Sequence, residues 1–497
     1  MSEVKAESRG RRVAKGAGWL YGYRWVERIL DALAIVVLAR LLSPDDFGLV
    51  AIASSFVAIV EGLAAFDVNK ALIRTRDEHR ALYDTAWTLS ALRGLLSALC
   101  MLGATLFLND ERLITVVYVL ALSPVLNGLA NPRFVMFERD LVYSKLALLT
   151  LGAKTISFGV TLAFAWVYGN YWALVFGVLA GSLVSLVLSY VLRPFQPRFT
   201  LARFKEIFGF SGWLSLTTVV TTLSMETDKL IVGRLLGIAE AGLYFMTQRV
   251  GVLPTRELVS PLQRILFPSF SELVEDRPKL RRIACESINV LGSLSLPAGF
   301  GFALVANDVV PLVFGAQWTA IVPLLVILVP YLGVRATLSM ALPCVMALGK
   351  TRLLFWVSLV YACVHVPVFI AGTAWYGLEG AIWSIVLAGC FYIYLNGWLL
   401  RQVLGISWWE ILGQLWRPLI AASGMVGGIL ALGALWPAFF WTGASWWALV
   451  IKAAAGSLIF GALQLGLWWL AGRPAGFERR LLQVLGSRFR GSIVGTG

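Results

Sequence analysis

Fourteen apolar stretches, each long enough to cross a bilayer, occupy almost the whole of this 497-residue chain. A helix needs about 20 apolar residues to span a hydrocarbon core of about 30 Å. The stretches run over residues 17–42, 46–66, 85–107, 112–132, 146–167, 171–192, 209–236, 241–263, 284–305, 320–347, 353–372, 377–400, 416–437 and 445–470. Hydrophobic residues make up 59% of the chain, which leaves no length for a separate water-soluble domain. Backbone polar groups in lipid must be hydrogen-bonded within the segment that carries them. The expected fold is therefore an all-α polytopic membrane protein.

Charge gives the topology. Lys5, Arg9, Arg11, Arg12 and Lys15 precede the first stretch, which is too long for a secretory signal and ends in no small-residue cleavage site. Counted alternately from there, the even connections hold the basic residues: Lys70, Arg74, Arg76 and Arg80, then Arg133, Arg139 and Lys145, then Arg193, Arg198, Arg203 and Lys205. The same parity continues through Arg264, Lys279, Arg281, Arg282, Lys350, Arg352, Arg401 and Arg417 to the tail, with Arg473, Arg479, Arg480, Arg488 and Arg490. The opposite connections are short, and Arg112 is nearly alone among them. The positive-inside rule then places both termini in the cytoplasm. This asymmetry also accounts for the net charge of +14. Basic residues spread over separate loops build no nucleic-acid-binding module, and no nucleic-acid partner is expected. Cys100, Cys285, Cys344, Cys363 and Cys390 show no CxxC spacing, and His79 and His365 are the only histidines. No metal site and no cofactor are expected.

The chain repeats itself at a shift of 194 residues. Gly18-Trp19-Leu20 falls on Gly212-Trp213-Leu214, Arg40-Leu41-Leu42 on Arg234-Leu235-Leu236, and Gly48-Leu49 on Gly242-Leu243. Six stretches per copy is an even number, so both copies start on the same side and have parallel topology, with substrate expected between them. The expected domains are a lobe over 1–200, a second over 201–402, an interfacial segment with two extra helices over 403–472, and a basic tail over 473–497. Phe199–Phe208 and Ile406–Leu415 mix aromatics with charges and are expected along the cytoplasmic interface. The longest outer connection is expected near Asn307–Thr319.

Ionisable residues inside a bilayer are costly and usually face a cavity or a partner. Arg24, Glu27, Arg28 and Asp31 share one stripe of the first stretch. That stripe either lines a water-filled cavity or forms internal ion pairs. Glu226, Asp228 and Lys229 lie toward the outer end of the seventh stretch; Arg249 and Arg256 share a face of the eighth, with Glu257 beside them and Pro254 expected to kink it. Arg93 and Arg335 lie within the third and tenth. Basic groups at depth suit an anionic headgroup, above all a phosphate or diphosphate gripped by arginine. The candidate substrate residues are Arg24, Arg28, Lys229, Arg249, Arg256 and Arg335, each with a structural ion pair as the competing role. Glu61, Asp228 and His365 are candidates for binding a coupling proton or cation, against salt-bridge or helix-packing roles.

Several segments together resemble a known family. Leu38-Ala39-Arg40-Leu41-Leu42-Ser43-Pro44-Asp45-Asp46-Phe47-Gly48-Leu49 resembles the first helix end and turn of bacterial polysaccharide flippases, within the multidrug/oligosaccharidyl-lipid/polysaccharide exporter superfamily. Asp228–Gly237 with Gly242-Leu243-Tyr244 looks like the matching turn of the second lobe, and Pro261–Ser271 like the end of helix 8. Phe314-Gly315-Ala316-Gln317-Trp318 and Met346–Thr351 are similar to later signatures of the same family, closest to exporters of colanic-acid-like and xanthan-like polysaccharides. The resemblance implies two pseudo-symmetric six-helix lobes around a V-shaped central cavity, plus two C-terminal helices. It implies movement of undecaprenyl-diphosphate-linked oligosaccharide from the inner to the outer leaflet, with membrane lipids and polysaccharide polymerase or export machinery as partners. The family motifs mark turns, so no site residue is carried over with them. Rival functions are a lipid II flippase, a drug or cation antiporter of the same fold, and a membrane polymerase or glycosyltransferase. The antiporter calls for an excess of deep acid, and the enzyme for a large outer loop. No Walker A sequence is present, so ATP hydrolysis by this chain is not expected.

Overall fold

A computed structural model describes residues 2–63, 72, 79–139, 142–204, 212–437 and 445–473. The loop residues Lys70, Arg74 and Arg76, the segment 205–211 and the tail from 474 lie outside the described residues. The chain forms two compact units, Met1–Phe245 and Met246–Gly497, and the described residues contain helices and no strands.

The first unit holds α1 (Ser2–Leu41), α2 (Pro44–Leu63), α3 (Arg80–Ala104), the paired short helices α4 (Glu111–Leu120) and α5 (Leu122–Gly128), α6 (Tyr143–Tyr168), α7 (Trp172–Leu192), α8 (Gly212–Leu235) and the start of α9 (Ile238–Glu272). The Ser-Pro-Asp-Asp turn has a local physical role. Asp46 Oδ2 accepts from the Ser43 backbone N–H at 3.0 Å and from the Ser43 hydroxyl at 2.6 Å, while the Asp46 N–H donates back to that hydroxyl at 3.3 Å. This is a reciprocal cap, with Pro44 preset for the first helical position and acidic residues at the positive end of the helix dipole. The other Asp46 oxygen accepts from Tyr171 N–H at 2.9 Å, just before α7. Asp45 instead pairs with Arg112 at 2.9 Å, with both side chains about half exposed. An exposed pair contributes about 0–1 kcal/mol, whereas loss of a cap costs about 1 kcal/mol and here strips a second element of its partner. Asp46→Ala should therefore lower the unfolding temperature in detergent clearly more than Asp45→Ala. Equal effects would contradict this assignment.

Residues 193–204 form the link out of α7 and lie against the start of α3. Arg198 N–H donates to Asp84 Oδ1 and Thr200 N–H to the Thr88 hydroxyl, each at 3.1 Å, and Phe199 meets the edge of Trp87 with ring centroids 5.1 Å apart. Phe199, Leu201 and Phe204 remain exposed.

The second unit continues α9 and adds α10 (Arg277–Val309), α11 (Val322–Thr337), α12 (Ala341–Ala347), α13 (Thr351–Leu404), α14 (Trp408–Leu435) and α15 (Trp446–Leu470). α9 runs unbroken through Pro254, Pro261 and Pro268. The Asn307–Thr319 stretch is not an open loop: α10 passes into a π turn over Val310–Phe314, Gly315 takes a positive φ of 109°, and a 3₁₀ turn follows over Ala316–Ile321. Backbone bonding continues through it, as burial of Trp318 and Phe314 requires. α13 contains two of the expected stretches and breaks at Gly377, whose φ of 61° and ψ of −143° only glycine adopts readily. Ile406–Leu415 is the cap and first turns of α14: Ser407 and Glu410 form a capping box continuous with the apolar helix. Arg281 on α10 holds the same Glu410 at 2.7 Å.

Ten helical segments among the described residues are long and apolar enough to cross a membrane. α13, at 54 residues, is one of the ten. The charged helices α1, α8 and α9 are not among them, because their own ionisable residues lower their apolar character.

Candidate functional site

The repeat seen in the sequence becomes a physical contact inside the first unit. A Cβ on Gly48 would stand 1.8 Å from the Ile238 carbonyl oxygen, and a Cβ on Gly242 would stand 1.8 Å from the Pro44 carbonyl oxygen. The 194-residue shift maps Gly48 onto Gly242 and Pro44 onto Ile238. The two contacts are thus one contact written twice, as an approximate two-fold axis demands. The obstacle in each case is backbone, which no rotamer change can move. Only glycine lets the first turn of α2 and the first turn of α9 touch. Beside it, Phe47 and Phe245 stack with ring centroids 6.4 Å apart.

The charged stripe of α1 resolves in part into ion pairs. Lys154 on α6 reaches Asp31 at 2.6 Å and Glu27 at 3.3 Å, which ties α1 to α6. Arg24 and Arg28 are half-buried and lie 5.8 Å and 5.9 Å over the rings of Tyr23 and Trp25. The buried Nε of Arg24 has no hydrogen-bond partner. On α8, Lys229 pairs with Glu226 and sits 5.8 Å from the Phe245 ring. Asp228 is buried and accepts from the Tyr244 hydroxyl at 3.1 Å, which closes α8 onto the start of α9. Glu61 is half-buried in the last turn of α2.

In the second unit Arg249 and Arg256 are exposed and make no ion pair among the described residues. Arg335 and His365 belong to one aromatic cluster between α11 and α13. The Arg335 guanidinium lies 5.0 Å over the Tyr392 ring, Tyr392 and Tyr361 have centroids 4.9 Å apart, and Tyr361 stacks on the buried His365 at 5.2 Å.

Two further charges within apolar helices form a pair that the sequence alone does not show. Lys452 on α15 donates to Asp308 on α10 at 2.6 Å, and the two side chains are only 2% and 4% exposed. α15 turns Ala448, Lys452, Gly456 and Gln464 inward, four residues apart or a multiple of it, so its polar groups face α10 and its apolar surface faces out. Gln464 donates to the Ser293 hydroxyl at 3.3 Å. Beside this pair lies a largely apolar cavity of about 460 Å³, walled by α9, α10, α14 and α15, with Pro254, Leu258, Phe302, Met425 and Phe460 among its lining. A second cavity of about 360 Å³ lies where α10 and α14 begin; its Arg281 and Arg282 are paired with Glu410 and Glu286. No group of three or more metal-ligating side chains occurs among the described residues.

The described residues contain helices and no strands and carry a set of charges within apolar helices, and solved structures show which fold this is. A lipid II flippase, MurJ, in an inward closed conformation superposes with a TM-score of 0.73 over 91% of this chain and 99% of its own, at 16% identity. An inward-facing multidrug-resistance MATE transporter of the MOP superfamily superposes at 0.58 over 75% of this chain and 94% of its own, at 15% identity. The fold is that of this superfamily. The chain belongs to the family described as polysaccharide biosynthesis protein, whose match covers residues 37–323. It is 25% identical to the lipopolysaccharide biosynthesis protein WzxC of Escherichia coli (strain K12), over 78% of this chain and 81% of that protein. It is 24% identical to the succinoglycan biosynthesis transport protein ExoT of Rhizobium meliloti (strain 1021), over 76% and 78%.

Proposed function

We propose that this protein is a flippase that carries undecaprenyl-diphosphate-linked oligosaccharide repeat units from the inner to the outer leaflet of the bacterial inner membrane, for exopolysaccharide or lipopolysaccharide synthesis. Membership of a polysaccharide biosynthesis family and relatives named for lipopolysaccharide biosynthesis and succinoglycan transport support a saccharide substrate, and the reciprocal Gly48–Gly242 contact supports the mechanism. In an alternating-access cycle that contact is the outer closure, which must part when the headgroup is released. Arg24, Arg28, Lys229, Arg249, Arg256 and Arg335 are the candidate headgroup residues, acting as permanent cations that hold phosphate oxygens. Glu61, Asp228 and His365 remain the candidates for a coupling ion. The apolar cavity beside α15 suits the lipid tail, since an isoprenoid needs dry walls and little polar bonding. The chain itself performs no covalent chemistry in this reading, and its partners are the lipid-linked saccharide, the surrounding lipids and the polymerase or export machinery that consumes the product.

The proposed topology has fourteen crossings in two six-helix lobes with two extra helices, and both termini in the cytoplasm. A reporter fused after Gly497 should then work only inside the cell. A cysteine at Gly169 should label from outside and one at Lys279 should not. The lipid II reading rests on fold alone, and the deep arginines argue against a carrier of cationic drugs. Deletion of the gene, followed by extraction of lipid-linked saccharides, tests the function: the repeat unit should accumulate in the leaflet where it is made and polymer should vanish. Normal polymer in the deletion strain would overturn the proposal.

A further inference from the structure

We infer that the cavity between the first turns of α10 and α14 holds the phosphate of an anionic glycerophospholipid, with its acyl chains along the exposed face of α14. The site lies outside the transport path and is independent of what the protein carries.

Two caps bring its walls together. Asp276 caps α10 by accepting from the Lys279 N–H at 3.1 Å, which puts Arg281 and Arg282 in the second turn. Ser407 and Glu410 box the start of α14. The cavity between them, about 360 Å³, is lined by Arg281, Arg282 and Cys285 from α10 and by Glu410, Gly413 and Gln414 from α14. Its charged lining is thus two guanidiniums and one carboxylate.

The guanidiniums are only partly engaged. Arg281 makes its hydrogen bonds through Nη2 alone, to the two Glu410 oxygens at 2.7 and 2.8 Å and to the Gly405 carbonyl at 3.3 Å. Arg282 bonds through Nε alone, to Glu286 at 3.0 Å, and its side chain is 72% exposed. Nε and Nη1 of Arg281 and both Nη of Arg282 therefore meet no acceptor among the described residues. An exposed pair one helical turn apart contributes little, so Arg282 can turn to a phosphate at small cost. Forked donors of this kind match phosphate oxygens.

The neighbouring surface selects a lipid over a soluble anion. Trp409, Leu412, Trp416 and Ile420 are all exposed and follow one another by three, four and four residues, a single stripe of α14 that starts beside Glu410. Tryptophans sit at the headgroup level of a bilayer, and basic pockets between membrane helices on the cytoplasmic side hold anionic headgroups. The positive-inside topology proposed above puts this end of α10 and α14 on that side. Gly413 keeps the cavity clear: a Cβ there would meet nothing within 4 Å, although glycine inside a helix costs about 0.5–1 kcal/mol relative to alanine.

Cys285, half-buried in the cavity wall, supplies the readout. The full-length protein is placed in nanodiscs of phosphatidylcholine with increasing phosphatidylglycerol, and its reaction with N-ethylmaleimide is followed at Cys285 by peptide mass spectrometry. Phosphatidylglycerol should slow the reaction about five-fold or more. Arg282→Gln removes only an exposed pair and leaves Arg281 on Glu410, so the fold is kept. It should raise the phosphatidylglycerol fraction needed for half-protection about ten-fold, the loss of one charge-assisted contact. Gly413→Leu fills the cavity and should make the rate indifferent to lipid. Equal rates for the wild type in both bilayers would overturn the site, as would protection that survives Arg282→Gln undiminished. Protection by inorganic phosphate in pure phosphatidylcholine would overturn it too, by assigning the cavity to a soluble anion.

Discussion

Replacing Gly48 or Gly242 by alanine is expected to abolish or nearly abolish export while the protein stays in the membrane. The added methyl would stand 1.8 Å from a backbone carbonyl oxygen in either case, so the first turns of α2 and α9 must move apart. Overpacking of this kind costs about 1–3 kcal/mol, and every 1.4 kcal/mol shifts an equilibrium about ten-fold. The closed state of these turns then becomes a minor one. In an otherwise unchanged background, cysteines at Asp45 and Ala239 should cross-link readily, stop export, and release it on reduction. With Gly48→Ala added, the same pair should cross-link markedly less. Efficient cross-linking with export intact would show that these turns stay together throughout transport. A static contact of that kind leaves no outer opening at this point.

The second large effect is expected at Lys452. Lys452→Ala leaves the Asp308 carboxylate buried, 4% exposed, without its counter-charge. Breaking a buried pair from one side costs about 3–5 kcal/mol, a large share of the stability of an ordinary domain. The variant should be scarce in the membrane, with α15 detaching from α10 and becoming open to proteolysis. Lys452→Met combined with Asp308→Leu should recover much of the abundance, because a well-packed apolar pair of similar volume is often neutral or better. If the double variant is abundant yet fails to export, the pair has a transport role beyond holding α15. Unchanged abundance of Lys452→Ala would contradict the structural assignment.

These two sites differ in how far the sequence announced them. The repeat aligned Gly48 with Gly242 from identities at one fixed shift, and the structure turned that alignment into a contact. Hydropathy marked apolar helices that the structure contains, ten of them among the described residues long and apolar enough to cross a membrane, because lipid allows the backbone few solutions. Even the break at Gly377 falls where two apolar stretches were separated. Pairing was less legible. The sequence places Glu27 and Asp31 at depth, but their partner is Lys154, a lone lysine within an apolar helix. Lys452 and Asp308 are likewise single charges in otherwise apolar helices. Each carried a usable signal, the cost of an isolated intramembrane charge. Sequence gives the depth of such a residue and not its neighbour across the bundle. The break between α11 and α12 is hidden for a different reason. Leu338-Ser339-Met340 contains no glycine or proline to announce it. Arg249 and Arg256, matched by spacing to one helical face, lie exposed on α9, and the structure adds no partner for them among the described residues.

The most direct measurement is transport itself. The purified protein is reconstituted into liposomes carrying a fluorescent undecaprenyl-diphosphate oligosaccharide, and the label left accessible to a membrane-impermeant quencher is followed over time. The accessible fraction in protein-free liposomes should stay constant. With the protein present, label should exchange between leaflets, and the exchange should stop when the Asp45→Cys and Ala239→Cys pair is oxidised and resume on reduction. Absence of exchange by the folded wild-type protein under an imposed ion gradient as well as without one would contradict a flippase. Exchange that continues through the oxidised cross-link would contradict alternating access at the Gly48–Gly242 contact.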